Sequence, residues 1–323
     1  MHSCTILIVC YYGDEWMPEC VNSLQSASLQ KLHLLVANNF GNEKLAHINY
    51  DHFTSEIIPL NGPHGFAEAN NYTLALAKSL SEYIIFLNQD TLSTPGWIDS
   101  CLATLENHPE LAAISPLIRN YDNTDWDESF LHCLTEKQQW DLNHGTLANL
   151  TLVEHVPAAA LVVKKSAILE VGPFDPIYGS YYEDYDLCAR IRKAGYEVGF
   201  CSNAYICHYS GSATTTPRTR LKRERQIIRN RNIYEIRHRS SSRFLQTLKC
   251  FVVDFPLRLL RAIFNTRSSQ SASAVIRAYI DLFALRVRLI SPRRDSKAFR
   301  SYLKHLSALN DNSINWLTID DEF

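Results

Sequence analysis

Basic residues are scarce in the first two thirds of this chain. Residues 1–216 hold 10 Lys or Arg against 25 Asp or Glu. This acidic segment cannot rely on its own basic side chains to neutralise phosphate groups. A ligand that carries phosphate would therefore have to bind a metal ion or a helix N-terminus. Residues 217–323 have the opposite composition, with 22 Lys or Arg against 9 Asp or Glu. That basic segment predicts an anionic partner, either a membrane surface or a nucleic acid.

Other common signals are absent too. None of the nine cysteines forms a C-x-x-C pair, so we expect them to be reduced core residues. The N-terminus lacks a basic region followed by an apolar core and a cleavage site, so no signal peptide is expected. No stretch of about 20 residues is both uncharged and predominantly apolar, which argues against a membrane-spanning helix. The composition, 46% hydrophobic and 20% charged, is ordinary for a globular protein, and we expect it to be cytoplasmic.

Strand and helix patterns alternate along the first 120 residues. Strands are predicted at 5–11, 32–38 and 83–88, and helices at 16–26, 65–80 and 97–108. This alternation is typical of a parallel sheet that helices cover on both faces. Residues 121–150 show little periodicity and are interpreted as a variable insertion. Further along, the pattern predicts strands at 153–163 and 200–208 and a short helix at 167–171.

Three carboxylates lie within four positions at the start of a predicted helix. They are Glu183, Asp184 and Asp186. Like charges this close raise one another's pKa, so at least one of them is a candidate proton acceptor, and a helix N-terminus favours the anion it would hold. The alternative is that they merely cap a surface helix.

A second acidic site follows the apolar run at 83–87. That run ends in Asn88, Gln89 and Asp90, shortly before a turn at Pro95 and Gly96. Ligands gather at the carboxyl ends of such strands, where Asn and Asp oxygens can bind Mg2+ or Mn2+. An isolated N-x-D pattern is more often a turn than a metal site.

In this order the motifs resemble the family 2 glycosyltransferases with the GT-A fold, particularly bacterial rhamnosyltransferase-like members. The resemblance covers about residues 5–215. It rests on the segments 6–12, 65–71, 86–91, 171–175, 183–184 and 208–212. It implies an α/β fold with a Rossmann-like, mostly parallel sheet in a GT-A domain at 1–216, followed by a C-terminal helical extension at 217–323.

The resemblance also implies an inverting, metal-dependent transfer from a nucleotide-sugar donor, of the dTDP-rhamnose or UDP-hexose class. The acceptor would be a saccharide or a lipid-linked saccharide in cell-surface polysaccharide assembly, such as O-antigen or capsule. Asp184 would be the general base and Glu183 would orient it. Asp90, with Asn88 and His208, would hold Mg2+ or Mn2+. The implied donor-binding residues are Tyr11, Asn38, Asn39, Gly65, Asn70 and Asn88. Outside the family pattern, His208 would more often be a structural residue.

One position departs from the family pattern. Ala37 stands where the family usually has the aspartate that binds the nucleobase. The contact is then either weakened or made by Asn38 or Asn39, whose amides can pair with a pyrimidine, although both could simply form a turn. A non-catalytic carbohydrate-binding or complex-organising relative therefore stays open. A nucleotidyltransferase is disfavoured, because the loop at 11–15 is acidic and lacks the Gly-rich basic character that a triphosphate needs.

Arginines dominate the segment that follows Pro217. Beyond it, apolar residues interrupted by arginine predict amphipathic helices at 248–264 and 275–290. Such helices either bury their apolar face against protein or lie in a membrane interface. A lipid-linked acceptor favours the membrane, so we expect peripheral association with an anionic inner membrane face and no nucleic-acid partner.

Overall fold

Four parallel strands form the first half of the central sheet. The computed structural model describes residues 4–41, 43–210, 216–239, 242–264, 271–290 and 292–309. The strands are β1 (Cys4–Tyr11), β2 (His33–Phe40), β3 (Thr54–Pro59) and β4 (Tyr83–Asn88), in the spatial order β3-β2-β1-β4. Helices α1 (Met17–Leu24) and α2 (Phe66–Leu76) connect them. The predicted strands are confirmed, whereas β3 was missed because it is an edge strand in which only Ile58 is buried.

The second half of the sheet mixes parallel and antiparallel strands. Its elements are β5 (Thr91–Ser93), α3 (Trp97–Asn107), β6 (Leu111–Asn120), α4 (Glu128–Leu131), α5 (Glu136–Asn143), β7 (Leu150–Leu152), β8 (Ala160–Lys164), α6 (Lys165–Val171), α7 (Glu183–Lys193) and β9 (Glu197–His208). Beyond β4 the order is β8-β6-β9-β5, and β7 also pairs with β9. Only β8, β5 and β7 run antiparallel to their neighbours, so the fold is the expected α/β architecture with a mostly parallel sheet.

Two sequence predictions in this half need correction. The strand predicted at 153–163 is wrong over its first seven residues, since β8 begins only at Ala160. Val156 and Ala158 are buried beside α7 rather than in the sheet, where the Ala158 N–H donates to Asp184 and the Val156 carbonyl accepts from Cys188. The segment 121–150, interpreted as an insertion, contains α4, α5 and β7.

The described residues after 216 contain five α-helices. They are α8 (Pro217–His238), α9 (Arg243–Lys249), α10 (Phe255–Phe264), α11 (Ala272–Ile290) and α12 (Pro292–Leu309), with a π-helical turn at Cys250–Asp254. A second apolar cluster joins α8 to α11, where Arg225 forms a bidentate ion pair with Asp281 at 2.7 and 2.5 Å. Helix α12 packs on α2, with the Tyr302 hydroxyl 3.2 Å from Nδ2 of Asn71. The division of the chain at residue 216 stays a prediction.

Among the helices described, none is both long and apolar enough to cross a membrane.

A buried ion pair ties α7 to the rest of the protein. Nε of Arg190 lies 2.8 Å from Oδ2 of Asp186, and its other nitrogens donate to the carbonyls of Val171, Gly172 and Pro173. Nε2 of His238, at the end of α8, lies 2.8 Å from Oδ1 of Asp186. Burial alone would raise the pKa of Asp186, but Arg190 and His238 outweigh it and hold that pKa below the usual range. Asp186 therefore stays ionised and structural.

We expect this carboxylate to make folding pH-dependent. Because its folded-state pKa is depressed, Asp186 contributes stability above the unfolded value of about 3.9, and that stability is lost as the pH falls towards the folded value. Asp186→Asn should lower the free energy of unfolding by about 3–5 kcal/mol near neutral pH, since the buried guanidinium of Arg190 loses the negative charge that balances it. Urea unfolding between about pH 6 and about pH 3 should show a shallower pH slope than the native chain. The exposed Asp122→Asn should keep the native slope, and an unchanged slope in Asp186→Asn would contradict the assignment.

Candidate active site

The pairing of β5 with β9 brings two distant polar groups together. Thr91 lies opposite His208 in this antiparallel ladder, so Asp90, which immediately precedes β5, meets the histidine that ends β9. Oδ1 of Asp90 is 3.5 Å from Nε2 of His208, and Nδ2 of Asn88 is 3.1 Å from the same nitrogen. Asp90 and His208 are both buried. The structure thus brings together the three residues predicted to hold a cation.

A second acid, Asp127, holds His208 from the other side. Its Oδ2 is 3.6 Å from Nδ1 of His208 and accepts a short hydrogen bond from Ser210, whose Oγ is 2.9 Å from the same ring nitrogen. Burial alone would lower the pKa of His208, but Asp127 and Asp90 outweigh it and raise that pKa to about 9. Burial opposes ionisation of Asp127 as well, yet hydrogen bonds from His208 and two serines lower its pKa below the usual range. The imidazole is therefore fixed between two carboxylates.

Asp90, His208 and Asn88 fit a cation that binds phosphate. Among the residues described, no group of three or more His, Cys, Asp or Glu side chains could alone enclose a metal ion. Mg2+ in phosphate-transfer sites is commonly held by one or two carboxylates, and water and substrate phosphates complete its coordination. A carboxylate and an imidazole 3.5 Å apart, with the ring oriented by a second acid, match that partial ligand set.

The first turn of α7 contains the other acidic motif. Glu183 is buried, and its Oε2 has no hydrogen-bond partner among the residues described. Asp184 is half-buried and accepts from the backbone N–H groups of Ala158 at 3.2 Å and Tyr185 at 2.9 Å. Burial raises the pKa of both carboxyl groups, and the charge of Asp184 raises that of Glu183 further. With Asp186 paired to Arg190, the three carboxylates of this turn occupy three different environments.

The loop before β8 connects the two acidic motifs. The Ala158 N–H donates to Oδ2 of Asp184 at 3.2 Å, and the carbonyl of the next residue, Ala159, accepts from the N–H of Asn88 at 2.9 Å. These backbone contacts place the first turn of α7 beside the end of β4, where the Asn88–Asp90 segment begins.

Tyr181 lies just before α7 in a charged environment. Burial raises the pKa of its phenol, the charge of Arg223 lowers it, and the negative charges of Glu183 and Asp90 raise it. The guanidinium of Arg223 lies 5.8 Å from the centre of the Tyr181 ring.

The ends of β1 and β2 form an aromatic rim. The Tyr12 ring lies 4.8 Å from that of Tyr11 and 5.5 Å from that of Phe40, and both Tyr12 and Phe40 are exposed. The backbone N–H and carbonyl of Tyr11 both pair with the Gln89 amide, at 2.9 and 3.0 Å. This pairing attaches the end of β1 to the Asn88–Asp90 segment.

The asparagines at the end of β2 differ in what they contact. The Asn39 amide is buried and pairs with the backbone of His64, accepting its N–H at 2.9 Å and donating to its carbonyl at 3.0 Å. Asn38 is only half-buried. Ala37 is fully buried and pairs in the sheet with Val9 of β1 and Ile58 of β3.

Gly65 and Asn70 support the framework around the site. A Cβ at Gly65 would lie 2.7 Å from the carbonyl oxygen of Gly179, so only glycine allows this approach. Asn70 is buried, and its amide donates to the carbonyl of Phe66 within α2. These contacts place neither residue against the acidic motifs.

Sequence reasoning missed Asp127. It lies in the segment interpreted as a variable insertion, and its only local signal is that of a helix cap. Its Oδ1 accepts from the backbone of Ser129 and Phe130 at the start of α4. Its second oxygen meets His208 only through the tertiary fold. Of the predicted motif at 208–212, residues 211 and 212 lie outside the described part of the chain.

Comparison with known proteins adds family information. A protein-family model described as Glycosyl transferase family 2 matches residues 5–161. An N-acetylglucosaminyl-diphospho-decaprenol L-rhamnosyltransferase of Mycobacterium tuberculosis is 24% identical over 236 residues, covering 65% of this chain and 76% of the relative. Rhamnosyltransferase WbbL of Escherichia coli K12 is 22% identical over 223 residues, covering 64% of this chain and 83% of the relative.

The fold is also similar to solved structures. A mannosyltransferase from Pyrobaculum calidifontis, solved in complex with GDP-Man and Mn2+, superposes with a TM-score of 0.56 at 14% identity. The superposition covers 96% of this chain and 87% of that structure. At this identity the likeness concerns the fold.

Proposed function

We propose that this chain, which is a family 2 glycosyltransferase with the GT-A fold, is an inverting and metal-dependent enzyme. It would move a sugar from a nucleotide-sugar donor, of the dTDP-rhamnose or UDP-hexose class, onto a saccharide or lipid-linked saccharide. The observation that carries this proposal is that consecutive residues join the two acidic motifs, since Ala158 binds Asp184 and Ala159 binds Asn88, next to the Asp90–His208 pair. The names of the relatives support a rhamnosyl donor and a lipid-linked acceptor. We further propose that the product belongs to a surface polysaccharide, such as O-antigen or capsule.

Asp184 is the proposed general base. It accepts the proton of the acceptor hydroxyl while that oxygen attacks the anomeric carbon and the bond to the diphosphate breaks on the opposite side. A single displacement of this kind inverts the anomeric configuration. The raised pKa of Asp184 supports proton transfer near neutral pH, and the Ala158 and Tyr185 N–H groups fix the carboxylate. Glu183, whose Oε2 is buried without a partner among the described residues, orients the base or the acceptor.

Asp90, His208 and Asn88 are the proposed cation-binding residues, with Asp127 holding the imidazole. When bound, Mg2+ or Mn2+ supplies the positive charge that neutralises the departing diphosphate. The first two thirds of the chain, with 10 Lys or Arg against 25 Asp or Glu, offer few cationic side chains for that task. The exposed rings of Tyr12 and Phe40, beside Tyr11 and Asn38, would receive the nucleobase.

The apolar and basic face of α9 and α10 supports a membrane surface as partner. Its exposed apolar residues are Phe244, Leu245, Leu248, Val252, Val253, Leu257, Leu260, Ile263 and Phe264. Arg243, Lys249, Arg258 and Arg261 lie among them. Apolar side chains bordered by cations are typical of helices that lie in an anionic bilayer interface, where a lipid-linked acceptor would be found.

The base assignment predicts a specific kinetic defect. Asp184→Asn keeps the shape of the side chain but cannot accept the proton, so sugar transfer should fall at least about a hundredfold. Binding of nucleotide diphosphate should change little, as measured by calorimetry. The exposed Asp122→Asn serves as the control and should transfer normally. Near-native transfer by a folded Asp184→Asn enzyme would show that another group is the base.

The cation assignment predicts the loss of metal-enhanced binding. In Asp90→Ala, the affinity for UDP, dTDP or GDP should become nearly independent of Mn2+, because His208 and the neutral Asn88 hold a divalent ion poorly. Asp127→Asn should weaken the Mn2+ effect about 10- to 100-fold, since the imidazole loses the acid that orients it. Titration calorimetry with and without Mn2+ measures both, with Asp122→Asn as control. A full Mn2+ effect in Asp90→Ala would place the cation elsewhere.

The membrane assignment predicts binding that salt reduces without abolishing. The protein should sediment with vesicles that contain anionic phosphatidylglycerol, less at about 1 M than at about 0.1 M salt. Leu260→Asp with Ile263→Asp should remove the salt-resistant part, because the apolar contacts are lost. Leu29→Asp, at a fully exposed leucine far from α10 in sequence, is the control. Leu282 of α11 cannot be used for this test, because it is buried between helices and its replacement by Asp would disturb the fold. Failure of the native chain to bind these vesicles at low salt would refute the assignment.

A further inference from the structure

The turn that leads into α7 has an unusual backbone. Tyr181 and Tyr182, which immediately precede Glu183, both have left-handed conformations with φ values of 71° and 73°. Residues with a Cβ rarely adopt this conformation, and it persists only where the surrounding structure fixes it. The direction in which the Glu183–Asp184 pair leaves the turn therefore depends on the contacts that hold residues 178–182.

Asn230 of α8 supplies the densest of these contacts. Its side chain is completely buried, and its Nδ2 lies 2.8 Å from the carbonyl oxygens of Tyr178 and Ser180 and 2.6 Å from that of Tyr181. The neighbouring Arg229 donates to Oδ1 of Asn230 at 2.8 Å and to the carbonyls of Ile177 and Tyr178. One amide thus binds three carbonyls of a turn that forms no regular ladder.

The same turn is attached to α2 on its other side. The carbonyl of Gly179 accepts from the N–H of Ala67 at 2.8 Å, and the hydroxyl of Ser180 accepts from the N–H of Phe66 at 3.1 Å. The segment that Asn230 binds therefore also holds the first turn of α2. Asn230 connects α8, the α7 carboxylates and α2.

We propose that Asn230 is a positioning residue for sugar transfer. By binding the carbonyls of Tyr178, Ser180 and Tyr181 it maintains the left-handed turn from which Glu183 and Asp184 project. Helix α8 then belongs to the catalytic unit and is more than a link to the amphipathic helices. The inference rests on the proposed function for the role of the two carboxylates, whereas the hydrogen bonds themselves do not depend on it.

The test compares two asparagines of one helix. Asn232 is also buried, but its amide donates to the carbonyl of Ile228 within α8 and accepts from the thiol of Cys250. It therefore stabilises contacts among the C-terminal helices and does not bind the turn before α7. Asn230→Ala and Asn232→Ala should both lower the melting temperature. Only Asn230→Ala should speed hydrogen exchange of the 178–186 amides relative to the rest of the chain, by about tenfold or more.

Kinetics separate positioning from general stability. At a temperature where each variant is folded, Asn230→Ala should lower kcat at least about tenfold with donor KM within about threefold, because the carboxylates are misplaced and donor binding is not. Asn232→Ala should keep kcat within about twofold of the native value. Should Asn230→Ala fold poorly, Asn230→Ser retains one donor and should give an intermediate kcat.

The outcomes are distinct. Equal kcat in the two alanine variants, or unchanged exchange at residues 178–186 in Asn230→Ala, would overturn the inference. Exchange needs no substrate, so if the native chain released no nucleotide from dTDP-rhamnose or a UDP-hexose in the presence of Mn2+, the proposed function would fail. Hydrogen exchange at residues 178–186 would then be the measurement that tests the contact of Asn230 with the turn.

Discussion

The three carboxylates in the first turn of α7 coexist because their environments differ. Arg190 and His238 neutralise Asp186, backbone N–H groups support Asp184, and Glu183 is buried with a raised pKa. Repulsion between like charges in one turn would otherwise favour protonation of more than one of them. The arrangement therefore needs α6, α8 and the loop before β8 at once. It explains why elements far apart in sequence converge on the first turn of α7.

The sequence was sufficient for most of the framework. Apolar runs at 5–11 and 83–88 are long and bounded by polar residues, so β1 and β4 were predictable, as was the acidic cluster at 183–186. The edge strand β3 is not predicted from the sequence, because an exposed strand lacks a continuous apolar run. The loop at 153–159, before β8, has the apolar pattern of a strand, because burial beside α7 selects the same apolar residues as burial in a sheet. Periodicity reports burial more directly than it reports backbone conformation.

The candidate site was less predictable than the fold because its contacts are tertiary. Asp90 and His208 could be named from motifs, yet their proximity depends on the register of β5 against β9. The contact of Asp127 with His208, and that of Asn230 with the turn before α7, join segments that carry no local signature of each other. The opposite charges of the two halves of the sequence predicted a basic helical extension after residue 216. The contacts of α8 with residues 175–186 connect this basic segment to the acidic site.

The contact between Asn71 and Tyr302 spans 231 residues of sequence, which has a consequence for synthesis. The sheet and α2 emerge from the ribosome well before the helix that carries Tyr302. At ordinary elongation rates the interval is roughly 10 to 50 s. During that time the face of α2 that α12 will cover is exposed to solvent and to chaperones. The nascent chain therefore passes through a stage in which its sheet can form while one flank stays open, and α12, which is made later, covers that flank.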